Sequence, residues 1–237
     1  MKKIITIIVS CYNSELFLER CLLSIINQKK NKYPYDLIFI DDKSTDGSLK
    51  ISTKLLKKFK NSKLIKNKKN LGLTKSCNKA ILECKTKYFI RVDADDFVSN
   101  NFIVSFEKAL QKNNSDFISC NRVEFNNTYK KKINLNQKKI NLYNFISCGV
   151  ALKTKKVKTI GMYKKVLWEE FDLYIRYIQR YNAKVKIISK YIYFYRKHKK
   201  SMSFKKNWIK KAWQQLIKKY NRDLILKFGK IPKLFIG

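Results

Sequence analysis

Asp93 and Asp95 stand one residue apart in Val92-Asp93-Ala94-Asp95-Asp96, directly after an apolar run. In a loop, two carboxylates so spaced can face one cleft. Their oxygens are hard donors that suit Mg²⁺ or Mn²⁺ better than soft metals. A cation held there bridges to a diphosphate and neutralises charge on a leaving group. The same residues also make an ordinary solvated turn, for which Asp is a preferred type. A second acidic pair, Glu169-Glu170, has the chemistry to accept a proton from an attacking hydroxyl. It also reads as the acid-rich first turn of a helix, which the macrodipole favours. Arg196 carries a fork that pairs two phosphate oxygens. His198 is the sole histidine, a residue type that is ordinarily surface or core without further role.

These side chains need elements to position them. The run over 4–9 is continuous, apolar and β-branched, as in a strand buried on both faces of a parallel sheet. Helical spacing of Leu16, Phe17, Cys21, Leu22, Ile25 and Ile26 predicts a helix over 14–27, with Ser14 as N-cap. A strand over 36–40, a turn over 41–47 and a helix over 48–59 follow. Next come a short strand near 64–65, the segment Asn70-Leu71-Gly72, a helix over 73–84 and a strand over 88–92. Strands alternating with helices at this spacing predict βαβ units. In such sheets ligands bind beyond the carboxyl ends of the strands. Tyr12-Asn13, Asp41-Asp42 and Asp93 to Asp96 all fall at those ends.

The second half is less regular. It predicts a helix over 101–111, a strand over 117–125 and a polar, lysine-rich, mobile excursion over 126–139. A strand over 147–152, a helix over 168–181 and one or two strands over 184–195 come next. From Phe204 onward the pattern is helical. Trp208, Ile209, Ala212, Trp213, Leu216, Ile217 and Tyr220 share one face, opposite Lys210, Lys211 and Lys218. Such a basic amphipathic helix either lies in a bilayer interface or packs on the core.

Composition bounds the rest. The chain has 237 residues, 45% apolar, with 6 Gly and 2 Pro, enough for a real core and against a disordered chain. There are 54 Lys+Arg against 17 Asp+Glu, a net charge of +37. That field attracts polyanions such as nucleic acid, anionic lipid or phosphorylated substrates. It is also a lysine bias spread over the whole length, and charge runs are usually solvated faces. Cys11, Cys21, Cys77, Cys84, Cys120 and Cys148 contain no CxxC pair, which argues against structural zinc and for reduced, cytosolic thiols. The N-terminal apolar run ends in Ser10-Cys11-Tyr12-Asn13 without a small-residue cleavage site, so it reads as a first strand and not as a signal peptide. No stretch reaches the roughly 18 apolar residues of a membrane span.

Four segments resemble the family 2 glycosyltransferases. Ile7-Ile8-Val9-Ser10-Cys11-Tyr12-Asn13 is similar to their opening strand, and Ile38 to Gly47 to their aspartate-bearing nucleotide-binding turn. Asn70 to Asn78 is similar to their Asn-x-Gly segment, and Val92 to Asp96 to their metal motif. The resemblance covers about 4–96, then resumes at Trp168 to Leu173 and Tyr195 to His198. It implies a GT-A (Rossmann-like) α/β fold with a central, mostly parallel sheet flanked by helices, plus the C-terminal basic amphipathic helix. It further implies a nucleotide-sugar donor, first UDP-linked, and inversion at the anomeric carbon.

Carried over by residue, Cys11, Tyr12 and Asn13 line the base pocket, and Asp41 and Asp42 hold base and ribose. Asn70, Gly72, Lys75, Ala94 and Arg196 lie along the donor, with Lys75 and Arg196 toward the diphosphate. Asp93 contacts the nucleoside, while Asp95 and His198 hold Mn²⁺ or Mg²⁺. Glu170 is the base, with Glu169 as close rival. The family usually has Asp where Glu170 stands. The expected organisation is a GT-A domain over 1–203, with a donor half over 1–98 and an acceptor half over 99–203, and a helical extension over 204–237. The expected acceptor is a glycan or lipid-linked glycan in bacterial surface polysaccharide or lipooligosaccharide synthesis. The expected place is the cytoplasm, at the inner membrane face where anionic lipid attracts the chain. Rival readings are a nucleotidyltransferase or other nucleotide-sugar enzyme, a basic nucleic-acid- or membrane-binding module, and a degenerate, non-catalytic module. The sequence carries no RRM, KH or helix-turn-helix signature.

Overall fold

The computed structural model describes residues 3–29, 34–112, 115–138, 141, 144–146, 148–198 and 206–228. The first half is a run of βα units: β1 (Ile5–Cys11), α1 (Glu15–Ile26), β2 (Asp36–Asp41), α2 (Ser48–Leu56), β3 (Ser62–Lys66), α3 (Leu73–Glu83) and β4 (Tyr88–Arg91). A short β5 (Phe97–Val98) and α4 (Phe102–Lys112) follow, then β6 (Phe117–Phe125), β7 (Lys130–Ile133) and β8 (Ala151–Lys153). The remainder is α5 (Thr154–Thr159), α6 (Glu169–Tyr181), β9 (Val185–Arg196), α7 (Lys206–Tyr220) and α8 (Arg222–Lys227).

All the strands join one sheet in the order β3-β2-β1-β4-β8-β6-β9-β5, with β7 on the side of β6. The block β3-β2-β1-β4 is wholly parallel. Beyond it β8 runs antiparallel to both β4 and β6, and β9 runs parallel to β6. Two reversals through β8 therefore make β6 and β9 run the same way as β4. The carboxyl ends of β1, β2, β4 and β9 all open at one edge of the sheet. Short β5 lies antiparallel to β9, pairing Phe97 with Phe194, and so holds the loop just before it beside the end of β9.

Each face of the sheet has its own core, as the two-residue period of strands requires. Ile5, Ile7 and Val9 of β1 pack with Leu18, Leu22 and Ile25 of α1, Leu55 and Leu56 of α2 and Phe102 and Phe106 of α4. Ile8, Ile38 and Ile40 point the other way, into a cluster with Ala80 and Ile81 of α3, Phe171, Tyr174 and Tyr177 of α6, and Trp213 and Leu216 of α7. All six cysteines are buried and unbridged.

The structure corrects one expectation and narrows another. The segment 126–138 is no structureless excursion: β7 pairs antiparallel with β6 from Arg122↔Ile133 to Phe125↔Lys130. Its exposed lysines hid a strand because one face of an edge strand can be wholly polar. The region 184–195 forms a single long strand, with its register shifts near Asn121 of the partner β6. The apolar stripe of α7 faces inward, since Ala212, Trp213 and Leu216 are 0–2% exposed. Lys139, Ser147, residues 199–205 with the expected boundary at 203/204, and the side chain of Trp208 lie outside the described residues. Among the described residues no helix is long and apolar enough to cross a membrane.

Candidate active site

The strand ends that open together surround a cleft of about 670 Å³, within the usual size of ligand sites. From the end of β1 come Ser10, Tyr12 and Asn13, and from the start of α1 Glu15, Leu16 and Phe17. Asp42 and Asp46 reach it from the turn after β2, and Asn70, Gly72 and Leu73 from the start of α3. Arg91, Asp93, Ala94 and Asp95 come from the end of β4, and His198 from beyond β9. Tyr12 is half exposed and Leu16 mostly exposed at the rim, an apolar lip that a planar ring can cover.

The first wall is two turns tied together. Asn13 and Lys43 both have left-handed backbones, a costly conformation that persists only where neighbours enforce it. Here the Thr45 N–H donates to Asn13 Oδ1 at 2.8 Å, and the Asn13 N–H donates to Ser44 Oγ. Asp46 accepts from the Glu15 and Ser48 N–H groups. Asp42 is 2% exposed. Its Oδ1 accepts from Asn67 Nδ2 and the Leu71 N–H, and its Oδ2 from the Gly72 N–H, all at 2.8 Å. Its carboxylate thus fixes the 67–72 loop against the end of β2.

The opposite wall carries the Asp93-Ala94-Asp95-Asp96 turn. Asp95 Oδ2 lies 2.8 Å from His198 Nε2, and both side chains remain about a quarter exposed to the cleft. Burial, and then the neighbouring Asp93, raise the Asp95 carboxyl above its ordinary value, against the pull of His198. Asp96 turns inward, where Oδ2 accepts from the Tyr193 hydroxyl at 2.6 Å and Oδ1 from the Arg196 N–H at 2.7 Å. Arg196 Nε donates to the Asp95 carbonyl at 2.9 Å, and its guanidinium lies over Phe17 and Phe125.

Arg91, a cation in an otherwise apolar strand, joins the two acidic motifs. It is 3% exposed. Its Nε donates to Asp93 Oδ1 at 2.7 Å and its Nη1 reaches Glu169 Oε1 at 3.3 Å. Glu169 and Glu170 open α6 behind that bridge. Burial, and then the adjacent Glu169, push the Glu170 carboxyl up to about 8.

Two sets of ligand atoms invite a cation. Asp93, Asp96 and Cys148 bring theirs within 4.8 Å of one another. However, both Asp96 oxygens already accept strong hydrogen bonds, and burial, with Asp93 next, drives the Cys148 thiol far up. A protonated thiol is a poor ligand for a hard ion. Asp95 with His198, one hard oxygen and one imidazole on the cleft wall, fits Mn²⁺ or Mg²⁺ better.

The expected residues divide. Tyr12, Asn13, Asp42, Asn70, Gly72, Asp93, Ala94, Asp95 and His198 line the cleft together. Cys11 and Asp41 do not; both are buried beneath it, and the Cys11 carbonyl accepts from the Asp42 N–H. Lys75 is exposed on the first turn of α3, outside the lining. Arg196 donates through Nε to the Asp95 carbonyl and is not among the cleft-lining residues. Glu169 and Glu170 stand behind the Arg91 bridge. Ser10, Glu15, Leu16, Phe17, Asp46 and Arg91 were not foreseen. Ser10 and Asp46 lay inside the motifs already singled out, and Arg91 left its own signal, as a charge near the end of an apolar run.

Comparisons with known proteins bear on the family and the fold. The chain is 36% identical over 113 residues to a poly(ribitol-phosphate) beta-glucosyltransferase of Bacillus spizizenii, covering 47% of this chain and 18% of that one. A teichoic acid poly(glycerol phosphate) polymerase of Staphylococcus epidermidis is 32% identical over 142 residues, 59% of this chain and 19% of that one. The chain thus spans about a fifth of the length of these relatives. The crystal structure of S. aureus TarS 1-349 in complex with UDP-GlcNAc superposes with a TM-score of 0.75 at 19% identity, over 95% of this chain and 71% of that one. A mannosyltransferase, PcManGT from Pyrobaculum calidifontis in complex with GDP-Man and Mn²⁺, gives 0.70 at 16% identity, over 99% and 67%. These likenesses establish the GT-A fold. The sequence model of glycosyl transferase family 2 matches residues 6–171, more than half of the chain, and the protein belongs to that family.

Proposed function

We propose that the protein transfers a sugar from a nucleoside-diphosphate donor, UDP-linked in the first instance, to a hydroxyl acceptor with inversion at the anomeric carbon. The observation that carries this reading is the convergence of Asp42, Asp93, Asp95 and His198, far apart in the chain, on one cleft. The UDP-GlcNAc and GDP-Man complexes of the two structural neighbours support a nucleotide-sugar donor.

Tyr12 and the Asn13 turn receive the base, and the 70–72 loop, shaped by Asp42, flanks the ribose. Asp95 and His198 would hold Mn²⁺ or Mg²⁺, which when bound neutralises charge on the departing diphosphate. Arg91 fixes Asp93 and Glu169 at their places. Glu170 takes the acceptor hydroxyl proton as that oxygen bonds to the anomeric carbon. The bond to the diphosphate oxygen breaks on the other face, and its electron pair leaves with the nucleoside diphosphate. The raised Glu170 carboxyl makes it a stronger base than an ordinary glutamate, one that is deprotonated mainly above about pH 8.

The acceptor is a glycan or lipid-linked glycan of a bacterial surface polymer, a reading supported by the names of the teichoic acid relatives. The chain then works on the cytoplasmic side. The hold on the inner membrane face is electrostatic in this reading, supported by the inward packing of Ile209, Trp213, Leu216 and Ile217 of α7 among the described residues.

The test is calorimetry of UDP, GDP and their sugars with and without Mn²⁺, followed by a hydrolysis panel. Absence of binding by every UDP and GDP species with Mn²⁺ present sinks the proposal.

A further inference from the structure

The turn that launches α6 is strained and is held from outside. Trp168 precedes Glu169 with φ 63° and ψ 51°, an uncommon left-handed conformation for a bulky residue, costing about 1–3 kcal/mol. Such a conformation persists only where its surroundings over-determine it, and much of what surrounds it belongs to α7. The Trp213 ring meets Trp168 edge-on, with centroids 5.3 Å apart, and Trp168 also packs on Phe171. Gln215 Oε1 accepts from the Leu167 N–H at 2.7 Å.

On the other side of the acidic pair, Asp172 is fully buried. Its Oδ1 accepts from the Tyr220 hydroxyl at 2.5 Å and from Lys219 Nζ, and its Oδ2 from Arg176 Nε at 2.8 Å. Two anchors from one helix, at 167–168 and at 172, thus bracket Glu169-Glu170. The bracket also removes Asp172 from the roles open to an acid here, since its carboxylate is fully engaged in ion pairs.

We infer that α7 is a strap that positions the acidic pair for catalysis, with Trp213, Gln215, Lys219 and Tyr220 as positioning residues outside the cleft. The inference rests on the reading of Glu170 as the base. It gives α7 a task in turnover that donor binding does not share, because no residue of α7 lines the donor cleft, which is built from the ends of β1, β2 and β4, the starts of α1 and α3, and His198. The groups facing Glu170 are Glu169 on its own helix, and Arg91 and Asp93 from the end of β4. Tyr174, one turn on, also feels its charge. A loosened strap lets Glu170 swing out of that surrounding into water.

The experiment uses the full chain with Gln215→Leu and Tyr220→Phe, singly and together, and the pair Lys219→Met and Lys219→Arg. Two quantities are read: UDP affinity by calorimetry, and the Glu170 carboxyl titration by NMR with carboxyl-labelled glutamate, assigned by its loss in Glu170→Gln. Hydrolysis of UDP-glucose with Mn²⁺ supplies kcat and KM. The expected result is a Glu170 midpoint lowered by a full pH unit or more in the double variant, with UDP affinity within twofold. Turnover falls about tenfold or more at unchanged KM. Lys219→Arg behaves as wild type and Lys219→Met follows the double variant.

A folded double variant with an unchanged Glu170 midpoint and unchanged kcat overturns the strap. Should the double variant fail to fold, Tyr220→Phe alone, which removes one hydroxyl, is read by the same criteria. Failure of the underlying reading looks different: Glu170→Gln then hydrolyses UDP-glucose at the wild-type rate.

Discussion

The proposed function gives Asp95 and Glu170 separable tasks, so their variants should fail differently. Asp95→Ala removes the cleft carboxylate that faces His198. Mn²⁺-dependent turnover should drop about hundredfold or more, with the melting temperature nearly unchanged because the side chain is partly exposed. Loss of cooperative melting would make Asp95 structural instead. Glu170→Gln should keep UDP binding and lose about 10²–10⁴ in kcat.

The pH dependence has a definite sign. The folded Glu170 carboxyl sits at about 8 against an ordinary 4.5, so only above about 8 is it mainly the proton-accepting carboxylate. The rate should therefore rise with pH through that value, and Glu170→Gln should flatten the limb. Stability runs the other way. Between about 4.5 and 8 the folded state holds a proton that the unfolded state has released, so this group's contribution is full below 4.5 and is lost as pH rises through 8. Thermal melting at pH 9 should be higher in Glu170→Gln than in wild type; a lower melting point there removes the buried-acid account.

At the scale of elements, two glycines and one tryptophan test how the walls are held. Gly72 has φ 81° and ψ 160°, a region essentially reserved for glycine, yet a Cβ there meets nothing within 4 Å. Gly72→Ala should cost only backbone strain, about 1–3 kcal/mol, and weaken UDP binding by shifting the N–H that Asp42 accepts. Gly149 also has positive φ, and a Cβ there would stand 2.9 Å from Tyr193 Cδ2. Gly149→Ala adds overpacking to strain, so its cost should reach about 2–4 kcal/mol, and it disturbs the Tyr193 hydroxyl that Asp96 accepts. Urea denaturation ranks the two, and an equal cost would deny the packing role of Tyr193. Trp213→Ala opens the core cluster between α6 and α7 and should destabilise by about 3–5 kcal/mol on the same measurement. A change under 1 kcal/mol would mean that α7 packs only loosely.

Over the whole molecule, +37 of formal charge accompanies a fold in which Ala212, Trp213 and Leu216 of α7 are turned inward. Binding to vesicles rich in anionic lipid should be sensitive to salt and largely lost at high ionic strength, where the screening length shrinks to about 3 Å at 1 M. Salt-resistant sedimentation with such vesicles would reveal apolar insertion, which the burial of Ala212, Trp213 and Leu216 argues against.

The donor half was legible in the sequence because its signals are local. An apolar β-branched run reads as a buried strand, and a polar cluster after it falls at a carboxyl end whatever lies elsewhere. That logic placed Tyr12, Asp42 and Asp93 to Asp95 around one opening. What it missed depended on pairs of residues 25 to 101 positions apart. The sequence could not tell that Asp42 spends its oxygens on the 67–72 loop, that Arg196 Nε holds the Asp95 carbonyl, or that Arg91 bridges Asp93 to Glu169. Nor could periodicity decide what α7 covers, since one amphipathic stripe suits a bilayer and a core equally. Composition and local pattern gave the βα units of the first half, while short or edge elements such as β5, β7 and α5 left no local signal. The tertiary structure alone decided which polar atoms meet, because a buried charge takes its role from the partner packed against it.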